Sequence, residues 1–151
     1  NTIKTHEFYG KQDKVVISYH GIPKKYFDKG DPYHCFCQKT SRLVAEALGL
    51  EENQYITSFQ SRLAAAGREW LKPYTSELME KLPEEGVKKI LILSPGFSMD
   101  CLETIEEIDE ENKEIFLDSG GEAFHYIACL NDNDEHVEAI NNLIANKISQ
   151  L

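Results

Sequence analysis

Four short apolar runs punctuate the chain. They are Val15-Val16-Ile17-Ser18, the stretch around Tyr55-Ile56-Thr57-Ser58-Phe59, Ile90-Leu91-Ile92-Leu93, and the stretch around Phe124-His125-Tyr126-Ile127. Each has the length and the β-branched or aromatic content of a strand. The first and third are continuously apolar, as expected of strands covered on both faces. Between these runs apolar residues recur at helical spacing. Leu43, Val44, Ala47 and Leu48 share a face, and that segment stops at Gly49. Leu78, Met79 and Leu82 share another, ahead of Pro83. A third helix is predicted to begin near Asp100, run to about Asp118 and end at Gly120-Gly121. The last is predicted from about Asp134 to Ile148, with Val137, Ile140, Leu143 and Ile144 on its inner face. Acids stand in the first turns of both later helices, which suits the helix dipole.

Strands that alternate with helices imply parallel pairing through right-handed crossovers. The fold class is therefore α/β: a doubly wound, four-stranded parallel sheet with helices on both faces. The expected strand order is 2-1-3-4, with direction reversing between the first and third strands. No internal repeat, linker or domain boundary is visible, so residues 1–151 read as a single domain.

Charge narrows the partners. Sixteen basic residues face 26 acidic ones, a formal net of −10. That argues against nucleic acid and against adhesion to an anionic membrane, both of which need clustered Lys and Arg. Cys35, Cys37, Cys101 and Cys129 form no C-x-x-C pair and read as reduced thiols. No apolar run is long enough to span a bilayer, and no signal peptide is visible. A cytoplasmic location is expected. The start at Asn1, without an initiator Met, reads as the start of a fragment.

In an open parallel sheet, ligands bind beyond the carboxyl ends of the strands where the order reverses. That rule selects Ser18-Tyr19-His20-Gly21-Ile22-Pro23 after the first strand, and the stretch from Ser94 to Glu103 after the third. His20 and Glu103 would then leave adjacent strands at the same edge. An imidazole beside a carboxylate can accept protons or ligate a divalent metal. A hydrogen-bonded structural role is the plainer reading of His20, but Gly21 and Pro23 hold a tight turn that would aim it into a crevice. Asp100 and Glu103 also fit a helix N-cap with its N3 partner. Glu103, Glu107 and Glu111 lie at i, i+4 and i+8, a row that drifts by about 40° per step on an α-helix. It is either a solvated acidic face or a ladder of oxygen ligands for a hydrated cation. Trp70, the one Trp, is either core or an indole face for a flat ligand.

In their order and spacing these segments resemble the carboxy-terminal half of the ferrochelatases, enzymes that insert ferrous iron into a porphyrin. The resemblance runs through Ser18 to Pro23, Tyr26, Gly30-Asp31-Pro32-Tyr33, Cys37 and Thr40. It continues through Phe59-Gln60-Ser61-Arg62, Trp70 to Thr75, Pro95-Gly96-Phe97, Asp100 to Thr104, Glu106-Glu107-Ile108 and Cys129-Leu130-Asn131. It implies a chelatase-like half-fold, with His20 as proton acceptor, metal ligand or both, and Glu103 as the opposing carboxylate. Glu107 and Glu111 would join those two as metal ligands, on a helix that is partly π in the family. Phe97, Trp70, Tyr19 and Ser18 would contact the porphyrin. Ferrous iron and protoporphyrin or coproporphyrin would be substrates, with no cofactor required and no iron–sulfur cluster. The amino-terminal half of the same enzyme would be the partner. Peripheral association of that parent with a membrane is compatible with this.

Some features depart from the family. The segment from Leu63 to Glu69 is two residues longer than usual, with Ala64-Ala65-Ala66 where an early glycine is common. Lys25 stands where many members have Arg. Three other readings compete. One is a half-length chelatase that dimerises around another tetrapyrrole. Another is a non-catalytic tetrapyrrole- or metal-binding module. A nucleotide binder is the third, and the lack of a glycine-rich phosphate loop weighs against it.

Overall fold

A computed structural model of the chain describes residues 2–62 and 68–150. Helix α1 (Thr2–Thr5) precedes strand β1 (Lys14–His20), and α2 (Lys24–Phe27) and α3 (Tyr33–Leu48) lead to β2 (Tyr55–Gln60). Helix α4 (Thr75–Glu84) leads to β3 (Lys89–Leu93). A helix in three parts follows: α5 (Leu102–Thr104), a π-helical segment (Ile105–Asn112) and α6 (Lys113–Asp118). Strand β4 (Ala123–Ile127) and α7 (Asp134–Ile148) complete the order. The strands form one parallel sheet in the order β2-β1-β3-β4, as the alternation predicts. The altered loop at Ala64-Ala65-Ala66 and Gly67 lies outside the described residues.

Strand β1 sits inside the sheet, so its side chains are buried on both faces and alternate between two cores. Val15, Ile17 and Tyr19 join Leu91, Leu93, Phe59 and Cys37 on one face. Val16 joins Ile90, Ile92 and Phe124 on the other, under Met79, Leu82, Ile108 and Phe116. Helix α3 covers the first face, while α4, the π segment and α6 cover the second. Each fully buried Val, Leu or Ile contributes about 1.5–3 kcal/mol of transfer free energy. This double covering makes β1 a rigid post for whatever stands at its end.

Two helices gain detail from the structure, and two expectations, at α4 and α7, need correction. Helix α3 starts at Tyr33, where Pro32 and the Asp31 carboxylate open it; Asp31 accepts from the Tyr33 N–H at 2.9 Å. It ends as predicted at Gly49, which has φ 73°. Helix α4 continues through Pro83 to Glu84, since a proline in the last turn removes only one late hydrogen bond. The third helix changes to π over Ile105–Asn112, as the family resemblance implied. Finally, α7 has no buried residue. Its Val137, Ile140, Leu143 and Ile144 are 45, 39, 70 and 52 % exposed. Both faces of the sheet are already covered, so the described residues leave α7 no core to join. Among the described residues, no helix is long and apolar enough to cross a membrane.

Candidate active site

The carboxyl end of β1 delivers three consecutive residues to three environments. Ser18 is buried, its hydroxyl 2.9 Å from that of Thr75 on α4. Tyr19 is 3 % exposed on the opposite face, 3.1 Å from the Ser41 hydroxyl on α3. Burial pushes its phenol up to about 12. His20, the last strand residue, emerges exposed. Ser18 and Tyr19, expected as substrate contacts, are thus packed inside the two cores. The cause is strand alternation in a doubly covered sheet.

His20 is held by its own turn. Its Nδ1 lies 2.7 Å from the Gly21 carbonyl oxygen. A carbonyl only accepts, so Nδ1 carries the hydrogen and Nε2 keeps a free lone pair in the neutral ring. Gly21 donates its N–H to the Gln60 carbonyl at 2.8 Å. A Cβ on Gly21 would lie 3.0 Å from that same oxygen and 3.5 Å from Cε3 of Trp70, which explains the glycine. Tyr33 donates to the His20 carbonyl at 2.7 Å and fixes the strand end from the other side.

Trp70, expected to face a porphyrin, is 8 % exposed and packs behind the His20–Gly21 turn. The Pro23–Trp70 bridge pulls it there, and its buried Nε1 has no hydrogen-bond partner among the described residues. Phe97 is half-buried and does face His20, with ring centroids 6.3 Å apart.

Glu103 approaches from the turn after β3. The N-cap here is Cys101, whose N–H donates to the Thr104 hydroxyl at 2.9 Å, so Glu103 is not the capping partner that spacing suggested. The Cys101 thiol donates to the Glu103 carboxylate and is the main cause that lowers its pKa; the Glu103 N–H and nearby His20 lower it further. Asp100 organises the turn instead. Its carboxylate accepts from Asn131 Nδ2 at 2.7 Å, the Tyr126 hydroxyl at 2.7 Å and the Cys129 N–H at 3.2 Å.

Glu103, Glu107 and Glu111 line one open depression of about 360 Å³, together with Ser61, Arg62 and Leu102. His20 does not line it, although it is close enough to act on Glu103 electrostatically. Three of the four groups implied as metal ligands thus share one depression, and His20 stands outside its lining. Among the described residues, no three His, Cys, Asp or Glu side chains come together to hold an ion. The reason at Glu107 is plain: its Oε1 accepts from the Ser61 N–H at 2.6 Å, and its Oε2 from the Ser61 hydroxyl at 3.0 Å.

Gln60 and Ser61 had no role assigned from sequence. Their signal was available, because Phe59-Gln60-Ser61-Arg62 ends β2 at the same sheet edge as His20.

The family model for ferrochelatase matches residues 1–148. The chain belongs to the ferrochelatase family. It is 56% identical over 140 residues to a ferrochelatase of Marinobacter nauticus, covering 93% of this chain and 37% of that one. It is 54% identical over 145 residues to a ferrochelatase of Hydrogenovibrio crunogenus, covering 95% and 38%. The chain thus spans less than two fifths of the length of either ferrochelatase. In fold it is similar to a Marinobacter aquaeolei protein assigned to cobalamin (vitamin B12) biosynthesis and named CbiX, with TM-score 0.57 at 11% identity, covering 91% of this chain and 98% of that one.

Proposed function

We propose that this chain is the carboxy-terminal part of an enzyme that inserts ferrous iron into a porphyrin. The rest of the length found in its relatives would supply the facing wall of the cleft. The observation that carries this reading is the free Nε2 lone pair of His20, set at the end of the interior strand with Phe97 beside it.

Insertion exchanges two pyrrole protons for one Fe²⁺, so it needs a base at the macrocycle and a source of dehydrating cation. His20 Nε2 accepts a pyrrole proton while Nδ1–H keeps the ring oriented through Gly21. Glu103 stays ionised, its charge favouring the imidazolium that forms. Glu106, Glu107 and Glu111 line the acidic depression next to it and raise the local concentration of cations. Phe97 offers an apolar surface to the ring, and Trp70 braces the turn from behind. Protoporphyrin and coproporphyrin are both compatible with these residues. No cofactor is assigned to the chain, since iron enters as substrate.

The test is a steady-state metal-insertion assay on the longer parent enzyme. His20→Ala is expected to lower kcat by about 10²–10⁴-fold, the range for a positioned general base. Wild-type turnover by that variant would overturn the reading. The 151-residue chain alone is expected to fold and to turn over little, with the opposite wall absent.

A further inference from the structure

We infer that Gln60 is a positioning residue that sets Glu103 against His20, an assignment that rests on the chelatase reading above. Gln60 is the last residue of β2, 2 % exposed, and the register partner of His20 on β1. It touches every segment that carries the pair. Its backbone carbonyl accepts from Gly21 at 2.8 Å, directly behind His20. Its side-chain Oε1 accepts from the Ser94 hydroxyl at 3.1 Å, at the end of β3. Its Nε2 donates to the backbone carbonyl of Glu103. The last contact fixes the orientation of the amide, because a carbonyl oxygen cannot face the amide oxygen.

The grip is on the Glu103 backbone, which leaves the carboxylate free for Cys101 and His20. Ser61 extends it. This residue has φ 60°, an unusual conformation for a non-glycine, and both its N–H and its hydroxyl reach the Glu107 carboxylate. Two consecutive residues at the end of an edge strand therefore fasten two glutamates four residues apart. A buried amide here carries a desolvation penalty that an apolar side chain would avoid. The position is explained by what the amide holds, since all its polar atoms point to site segments.

The experiment uses the longer parent enzyme and the variants Gln60→Met, Glu103→Gln and the pair combined, with thermal unfolding run in parallel. If Gln60 acts through Glu103, Gln60→Met lowers kcat/KM for the metal about tenfold or more, as misplaced catalytic groups do. The KM for porphyrin stays unchanged. In single-turnover measurements, adding Gln60→Met to Glu103→Gln then changes the residual rate by less than about twofold, because the two share one effect. An equal loss in both backgrounds, or a lower Tm with unchanged kinetic constants, would overturn the assignment. Should Gln60→Met not fold, Ser94→Ala removes one leg of the clamp; a loss of about threefold with the same non-additivity supports it, and an additive or absent effect sinks it. The two levels separate cleanly. Full activity of His20→Ala removes the chelatase reading and this inference with it. An inactive His20→Ala beside a wild-type-like Gln60→Met removes only the role of Gln60.

Discussion

Asp100 illustrates how one side chain can be worth more than its sequence pattern suggests. Burial pushes its carboxyl pKa upward, but the donors Asn131, Tyr126 and the Cys129 N–H outweigh that and hold it at about 2. The folded value lies below the unfolded one, so the stabilisation is complete above about pH 4 and is lost as pH falls towards 2. Allowing for solvent screening at a partly exposed site, the contribution is about 1–2 kcal/mol. Asp100→Asn should lower stability at neutral pH by that amount and flatten the loss between pH 4 and 2, as read from urea unfolding at each pH. Spacing marked Asp100 as a cap, because its partners Tyr126 and Asn131 come from β4 and the turn after it, far along the chain. That His20 and the turn carrying Glu103 leave adjacent strands at one sheet edge was legible, because the strand order was. That Ser18, Tyr19 and Trp70 are buried was not legible for Ser18 and Tyr19, because a motif does not say which face of a strand each residue takes, whereas core packing was one of the two readings of Trp70.

Among the elements, the strands and their order were legible in full, since continuous apolar runs have few other solutions. The π segment was not read from spacing, because i→i+5 pairing leaves no hydrophobic period of its own in eight residues. Asn112 helps to hold it: its buried side chain donates from Nδ2 to the Glu107 carbonyl. Asn112→Ala leaves that carbonyl without this donor and should destabilise by about 1–3 kcal/mol, measurable by thermal unfolding. The end of this helical run is equally specific. A Cβ on Gly121 would stand 2.2 Å from Cε1 of the buried Phe116 and 2.7 Å from its carbonyl oxygen. Gly121→Ala should therefore cost about 1–3 kcal/mol by overpacking, whereas Gly10→Ala, with open space around it, should show only the smaller effect of its φ of 84°.

For the molecule as a whole, α7 is the element whose sequence and surroundings disagree. Its helical period was read correctly, but its apolar stripe meets no core among the described residues. Periodicity reports that a face is to be covered, not by what. Its proposed cover is the portion of the relatives' length that this chain does not span. Leu143→Glu should then leave the Tm of the 151-residue chain unchanged while lowering that of the longer parent by several degrees. An equal effect on both would place the cover within this chain. The same division bears on the traffic of protons. With Nδ1 of His20 committed to Gly21, the imidazole has a single port, and a proton taken at Nε2 must leave by Nε2. In the proposed insertion reaction, the two pyrrole protons of one turnover would therefore not be stored together on this ring. If both were taken by His20, they would depart in sequence, the first passing to water or a carboxylate before the second is accepted, so a closed cleft would need a proton exit beside His20 until the second had gone.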